Sequence, residues 1–279
     1  LTLMRRPEGA HHVIHSTDTP RTRACLAADL RELGVQPGMT LMVHASLSAL
    51  GWVAGGANAV IEALQDVLTP EGTLAMPTFT AGLTDPSVWQ NPPVPETWWP
   101  IIREETPAYD PRTTPTRGMG AVAEVFRSYP GVRRSAHPHV SVSALGPNAT
   151  FVTEGHELSN SMGETSPLAR LYDLGAFVLL LGTEKNSSLH LAEDRADFRE
   201  RIVKGAPVWQ EGRRVWVTFE DVDYDDGIFP PLKAELEAAG LVRMGRVGSA
   251  ASRLMSQRDV VDFATRWFRT HAASPEVVS

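Results

Sequence analysis

The chain has a single cysteine, Cys25, in 279 residues. One thiol forms no intrachain disulfide and no thiolate cluster for zinc or iron, so packing has to carry the fold. Cys25 stands at helical spacing from Leu26, Leu30 and Leu33 and is read as buried filler rather than a nucleophile. A basic surplus is missing too: 26 Lys and Arg face 33 Asp and Glu, a formal net charge of -7. That balance argues against a duplex-binding face, which needs cations to neutralise phosphates, and it suits a cationic partner. No apolar run approaches the roughly 18 residues of a membrane span. The N-terminus also lacks a basic flank followed by an apolar stretch and a small-residue cleavage site. The expectation is a soluble, cytoplasmic, globular protein, monomer or homodimer, without a nucleic-acid or membrane partner.

Residues 1–20 are polar, carry His11, His12 and His15, and show no clear period, which predicts a loosely ordered leader with solvated histidines. One domain is expected over residues 21–271, followed by a tail at 272–279. From Thr22 an amphipathic helix runs to Leu33, and a Gly34 and Pro37-Gly38 turn leads to the apolar strand Thr40-Leu41-Met42-Val43, ending at His44. Val60, Ile61, Leu64, Val67 and Leu68 repeat at three- and four-residue steps, predicting a helix from about Ala57 to Leu68 before a second strand at Thr73 to Met76. This is a β-α-β unit. The Pro- and Trp-rich stretch from Pro77 to Pro115 reads as a long functional loop with one short helix near Trp98-Trp99. Helices near Gly120 to Tyr129, Pro167 to Leu174 and Leu191 to Phe198 alternate with strands near Val140 to Leu145 and Phe177 to Leu181. A hairpin around Glu211-Gly212 and two closing helices, near Pro231 to Ala239 and Arg258 to Arg269, complete the pattern. The sum predicts a single-domain, three-layer α/β/α fold with a mixed sheet whose antiparallel part comes from that late hairpin.

Four segments carry residues suited to chemistry. His44-Ala45-Ser46-Leu47 leaves a buried strand and runs through Val53, Gly55 and Gly56 into a helix start, a turn able to hold the pyrophosphate of a nucleotide-like cofactor. It matches neither common phosphate-loop pattern, and packing alone also favours glycine in such turns. Ser188-Leu189-His190-Leu191-Ala192-Glu193 follows the strand that ends at Leu181; on a helix His190 and Glu193 share a face, so the carboxylate can orient the ring. Acid-base chemistry and a structural hydrogen bond near a helix start both fit that pair. His137-Pro138-His139 lacks the cysteine or carboxylate companions of a metal pair, and no metal is expected. Glu220 to Asp226 places five carboxylates in a loop whose negative potential can attract a polycation.

Taken in order, the His44 to Gly56 segment, Met76-Pro77-Thr78-Phe79, Arg134-Ser135-Ala136-His137-Pro138, Ser166-Pro167-Leu168-Ala169-Arg170 and Ser188 to Glu193 resemble the aminoglycoside 3-N-acetyltransferase family, over about Thr22 to Phe268. The resemblance implies an antibiotic N-acetyltransferase fold, distinct from the GNAT fold. It implies acetyl-coenzyme A as cosubstrate, a cationic aminoglycoside acetylated on its 3-amino group, and no metal. Carried over residue by residue, it implies coenzyme contacts at His44, Ala45, Ser46, Leu47, Val53, Gly55 and Gly56, with Thr78 and Ser143 along the pantetheine. It implies a catalytic role for His190, supported by Glu193 or by a carboxylate of the 220s. Substrate-binding carboxylates are implied at Asp223 and Asp225, and at Asp110 in Tyr109-Asp110-Pro111, although Asp before proline is also an ordinary turn former. Two other readings fit the same resemblance: an acetyltransferase of this fold acting on another amine metabolite, and a non-catalytic coenzyme A-binding protein.

Overall fold

The computed structural model describes residues 8–271. Ten helices and nine strands follow one another among the described residues: α1 (Glu8–His15), α2 (Arg23–Leu33), β1 (Thr40–Ala45), α3 (Gly56–Leu68), β2 (Thr73–Pro77), α4 (Trp99–Glu105), α5 (Gly120–Phe126), β3 (Arg133–Arg134), β4 (Val142–Leu145), α6 (Ala149–Thr153), α7 (Pro167–Asp173), β5 (Phe177–Leu181), α8 (Leu189–Ala196), β6 (Arg201–Gln210), β7 (Arg213–Val222), α9 (Phe229–Ala238), β8 (Val242–Val247), β9 (Ala250–Ser256) and α10 (Gln257–His271). Seven strands form one sheet in the order β3-β4-β2-β1-β5-β9-β8. Only β1 pairs in parallel, with β2 on one side and β5 on the other; the remaining pairings are antiparallel.

The two-residue alternation of strand side chains sorts the core into two layers. Leu41, Val43, Leu179 and Leu181 face α2, α3 and α5, whereas Met42, Val178 and Leu180 face the helices α6 to α10. Central strands buried on both faces need continuous apolar runs, which is why Phe177 to Leu181 was legible as a strand. Thr22 and Cys25 form a reciprocal capping box at the start of α2, with Thr22 N–H donating to Cys25 Sγ at 3.0 Å. Cys25 is therefore a half-buried cap packed beside the core, not the fully buried filler its spacing suggested.

Two other expectations are corrected. The β6–β7 hairpin forms, but as a separate two-stranded sheet; the antiparallel members of the main sheet are β3, β4, β8 and β9. Arg201, Val203, Trp209 and Arg213 leave much of the hairpin exposed, while β9 supplies the buried Leu254 and Met255 that the sheet needs beside β5. Residues 1–20 are not without regular structure, since Glu8–His15 is helical. His12 and His15 are exposed as expected. Beyond α1, Thr17 Oγ1 accepts the Trp52 N–H at 2.9 Å and Arg21 N–H donates to the Trp52 carbonyl at 2.8 Å, so this segment is docked on the turn after β1. The proposed tail at 272–279 lies outside the described residues.

Candidate active site

Since β2 and β5 flank β1 on opposite sides, the sheet has its topological switch at the carboxyl end of β1, where crevices open in α/β sheets. His44 lies at that end, paired in register with Leu180 of β5. Beyond β5 the chain turns at Gly182, whose φ of +63° and collision of any added Cβ with Ala49 exclude a larger residue. Asn186 Oδ1 accepts the Ser188 N–H at 3.0 Å, and the Ser187 carbonyl accepts the His190 N–H at 3.1 Å, which starts α8.

One turn of α8 then brings His190 and Glu193 together. His190 Nδ1 is 2.5 Å from Glu193 Oε2, and the Glu193 side chain is fully buried. The other carboxylate oxygen, Oε1, accepts from Arg199 Nε at 2.7 Å. Arg199 Nη2 also donates to the Asp225 carbonyl at 3.0 Å and stands 4.0 Å from Asp225 Oδ2. The rings of Tyr224 and Phe229 flank the imidazole at 5.5 and 5.0 Å. The His190 side chain is 12% exposed, and its Nε2 makes no hydrogen bond to another described residue. A carboxylate on Nδ1 fixes that nitrogen as the donor and leaves an Nε2 lone pair able to take a proton.

A second histidine closes the inner wall. Ser187 N–H donates to His44 Nε2 at 3.1 Å, which assigns the ring proton to Nδ1. Burial, then the neighbouring His190, push His44 down to about 3, so it stays uncharged near neutrality. His44, Ala45 and Ser46 line an inner cavity of about 260 Å³ together with Gly118, Thr183 and Lys185. Ser46 and Gly120 also line an outer groove of about 490 Å³, walled by Leu47, Trp52, Val53 and Gly56. Val13 of α1 contributes to that outer wall. Gly56 and Gly118 leave open space where a Cβ would stand, and no side chain caps the N-terminus of α3. The two cavities share Ser46 and Gly120 as lining residues, and the outer one lies at a helix start without a side-chain cap, suited to a ligand with an anionic section.

Residues 42–269 match the family model described as aminoglycoside 3-N-acetyltransferase. The chain belongs to this acetyltransferase family. It is 48% identical over 259 residues to the SPbeta prophage-derived aminoglycoside N(3')-acetyltransferase-like protein YokD of Bacillus subtilis, covering 92% of this chain and 95% of YokD. The crystal structure of YokD superposes with a TM-score of 0.93 at 45% identity, over 95% of this chain and 99% of that one. Aminoglycoside N(3)-acetyltransferase VII of Streptomyces paromomycinus is 40% identical, over 91% of this chain and 94% of its own. Among solved structures, AAC-IIIb in a binary complex with CoASH has a TM-score of 0.82 at 32% identity, covering 92% of this chain and 99% of that one. AAC-VIa bound to sisomicin has a TM-score of 0.80 at 31% identity, covering 92% and 100%.

Within this acetyltransferase the other expected site residues occupy contrasting places. Gly55, at φ +91°, is the residue on which α3 starts. Thr78 and Ser143 are fully buried, with hydroxyls 3.1 Å apart, and line neither the groove nor the inner cavity. Asp110 forms a turn, accepting the Arg112 N–H at 2.8 Å and pairing with the Arg112 guanidinium at 2.9 Å. Asp223 and Asp225 are exposed on the loop that carries Tyr224 to His190, and Asp225 Oδ1 also accepts the Gly227 N–H at 2.9 Å. Thus the acidic loop and the His190–Glu193 pair are brought together, while Asp110 is tied to its own turn. Arg199 and Ser187 were missed. Arg199 lies past the end of α8, where Asp197 at φ +54° breaks any helical spacing that would have pointed back to Glu193.

The acetyltransferase's remaining buried histidines are structural. His137 Nδ1 accepts the N–H groups of His139 and Val140, both at 3.1 Å, and its Nε2 faces the Leu158 carbonyl at 3.2 Å. His156 sits between Ser135 Oγ at 2.9 Å and the Ser161 carbonyl at 2.7 Å. Beside them Asp221, buried in the acidic run, pairs with Lys204 at 2.9 Å and accepts from the Ser161 hydroxyl at 2.6 Å. Burial pushes His139 and His156 down to about 4, with Lys204 adding to the effect at His139.

Proposed function

We propose that this enzyme transfers the acetyl group of acetyl-coenzyme A to the 3-amino group of a 2-deoxystreptamine aminoglycoside, with His190 as general base. The observation that carries the reading is the His190 ring itself. Its Nδ1 is held by a buried carboxylate, its Nε2 makes no hydrogen bond to another described residue, and it neighbours both His44, which lines the inner cavity, and Tyr224 of the acidic loop.

The two cavities suit coenzyme A. The open glycine positions and the uncapped start of α3 fit a pyrophosphate-bearing chain, and the inner cavity is lined by His44, a neighbour of His190. One related solved structure is a binary complex with CoASH and another is bound to sisomicin, which supports both halves of the assignment. The chemistry requires an uncharged amine, because an ammonium has no lone pair to attack a thioester carbonyl. As the nitrogen–carbon bond forms and the carbon–sulfur bond breaks, one amine proton passes to His190 Nε2, while Glu193 stabilises the imidazolium. The proton then leaves with the departing thiolate as coenzyme A. An imidazole ordinarily titrates at about 6.5, and general-base assistance of this kind is worth about 10²- to 10⁴-fold. Asp223 and Asp225 present negative charge to the polycationic substrate.

The test measures acetyl-coenzyme A consumption with sisomicin-, gentamicin- and apramycin-like compounds and with simple amines, then locates the acetyl group on the product. Acetylation at the 3-amine supports the reading. Turnover confined to simple amines would assign the enzyme to another metabolite, and no turnover with any amine would overturn the catalytic reading.

A further inference from the structure

We propose that Arg199 is a positioning residue for this reaction: it keeps Glu193 ionised and aimed at His190, and it ties the acidic loop to the pair. This rests on His190 acting as the base. Glu193 is fully buried, and a carboxylate removed from water tends to take up a proton unless a positive group stays beside it. His190 can be that group only when protonated, a state in which it has already done its work. Arg199 supplies a permanent charge at 2.7 Å and occupies the oxygen that His190 does not use. Both carboxylate oxygens are thereby fixed, and with them the orientation of the ring.

The same guanidinium also moderates Glu193. Glu193 Oε2 lies 2.5 Å from the ring, and sharing that carboxylate with the Arg199 guanidinium weakens its hold on an imidazolium. The other polar groups around the ring leave this task to Arg199. Tyr224 presents a phenol whose ionisation is pushed up by burial, and its hydroxyl is 3.3 Å from Asp194 Oδ1. The ammonium of Lys204 lies 5.5 Å from the Tyr224 ring and is paired with Asp221, and His44 is kept neutral by burial. Asp225 meets Arg199 mainly through its carbonyl, so the backbone of the acidic loop is fixed relative to the base while its carboxylate stays 58% exposed.

The experiment is the pH dependence of kcat/KM for acetylation of sisomicin, measured on the full chain as wild type, Arg199→Met and Arg199→Lys. His190→Ala serves as a control for the underlying reading. Arg199→Met is expected to move the acidic half-point of the profile upward by at least about half a pH unit, while KM for acetyl-coenzyme A stays within about twofold. Arg199→Lys keeps the charge without the two-directional fork, so it should return the half-point toward the wild-type position at a reduced kcat. If Arg199→Met does not fold by circular dichroism, Arg199→Gln takes its place under the same criterion. An unshifted half-point in the neutral variant overturns the proposal whatever happens to kcat, as does an equal shift in Arg199→Lys. A fully active His190→Ala would instead remove the base assignment, and the two failures are told apart by which variant shows them.

Discussion

His190 and the pair His137 and His156 are the same side chain held in opposite ways, all in buried or nearly buried, hydrogen-bonded surroundings. His137 and His156 have partners at both ring nitrogens, drawn from backbone groups and the Ser135 hydroxyl. His190 has one nitrogen on a carboxylate and the other unengaged. A ring bonded at both ends staples the loops around it and has no lone pair left for chemistry; a ring with one end fixed and one open can carry a proton. The two groups also differ in charge. Among the described residues no carboxylate hydrogen-bonds to the ring of His137 or His156, and burial holds both below the usual imidazole range, whereas His190 has Glu193 on its Nδ1.

The contrast is broken or sharpened most directly at His190. His190→Ala should lower turnover at least about 100-fold, with the melting temperature little changed and coenzyme affinity within about twofold by calorimetric titration. Near-normal turnover would place His190 with the structural histidines. His156→Ala should do the reverse. Losing its partners at Ser135 and Ser161 is expected to cost about 1–3 kcal/mol in urea unfolding, with kcat per folded molecule nearly unchanged. A large loss of kcat without loss of stability would erase the distinction.

Acid should act through the structural group. His139 and His156 titrate near 4 in the folded protein against an ordinary value of 6.5, so below 6.5 the unfolded chain binds more protons than the native one. Their contribution to stability is present above about 6.5 and is lost as pH falls toward 4, at up to about 1.4 kcal/mol per histidine per pH unit. Melting curves across that window should show the decline, and His156→Phe should flatten it. The smallest effect belongs to the acidic loop. Asp223→Asn is expected to raise KM for an aminoglycoside a few-fold with kcat unchanged, a loss that added salt would mimic in the wild type. An identical KM in the variant would move substrate recognition elsewhere.

What could be read in advance followed the range of the interactions. The β1–α3–β2 unit was visible because α3 repeats its apolar residues with helical period and β1 is a continuous apolar run. The His190–Glu193 contact was visible because it lies within one helical turn. β8 and β9 were overlooked because Arg243, Arg246 and Arg253 interrupt any apolar pattern, and pairing with β5 compensates for that in space. Thr78 and Ser143 were implied by the resemblance alone, and a resemblance says nothing about whether a hydroxyl faces a cavity or, as here, its neighbour across an antiparallel pair.

By itself the sequence determined the α/β class, the parallel centre of the sheet, the helix that presents His190, and the carboxylate one turn away, because each depends on residues a few positions apart. Only the tertiary structure decided that His44 meets Ser187, that Arg199 completes the Glu193 pairing, and that the segment before α2 docks on the turn after β1 and lends Val13 to the outer groove. Those contacts join chain segments with no common period, and their energies depend on burial and on which hydrogen-bonding atoms remain free after the core has packed.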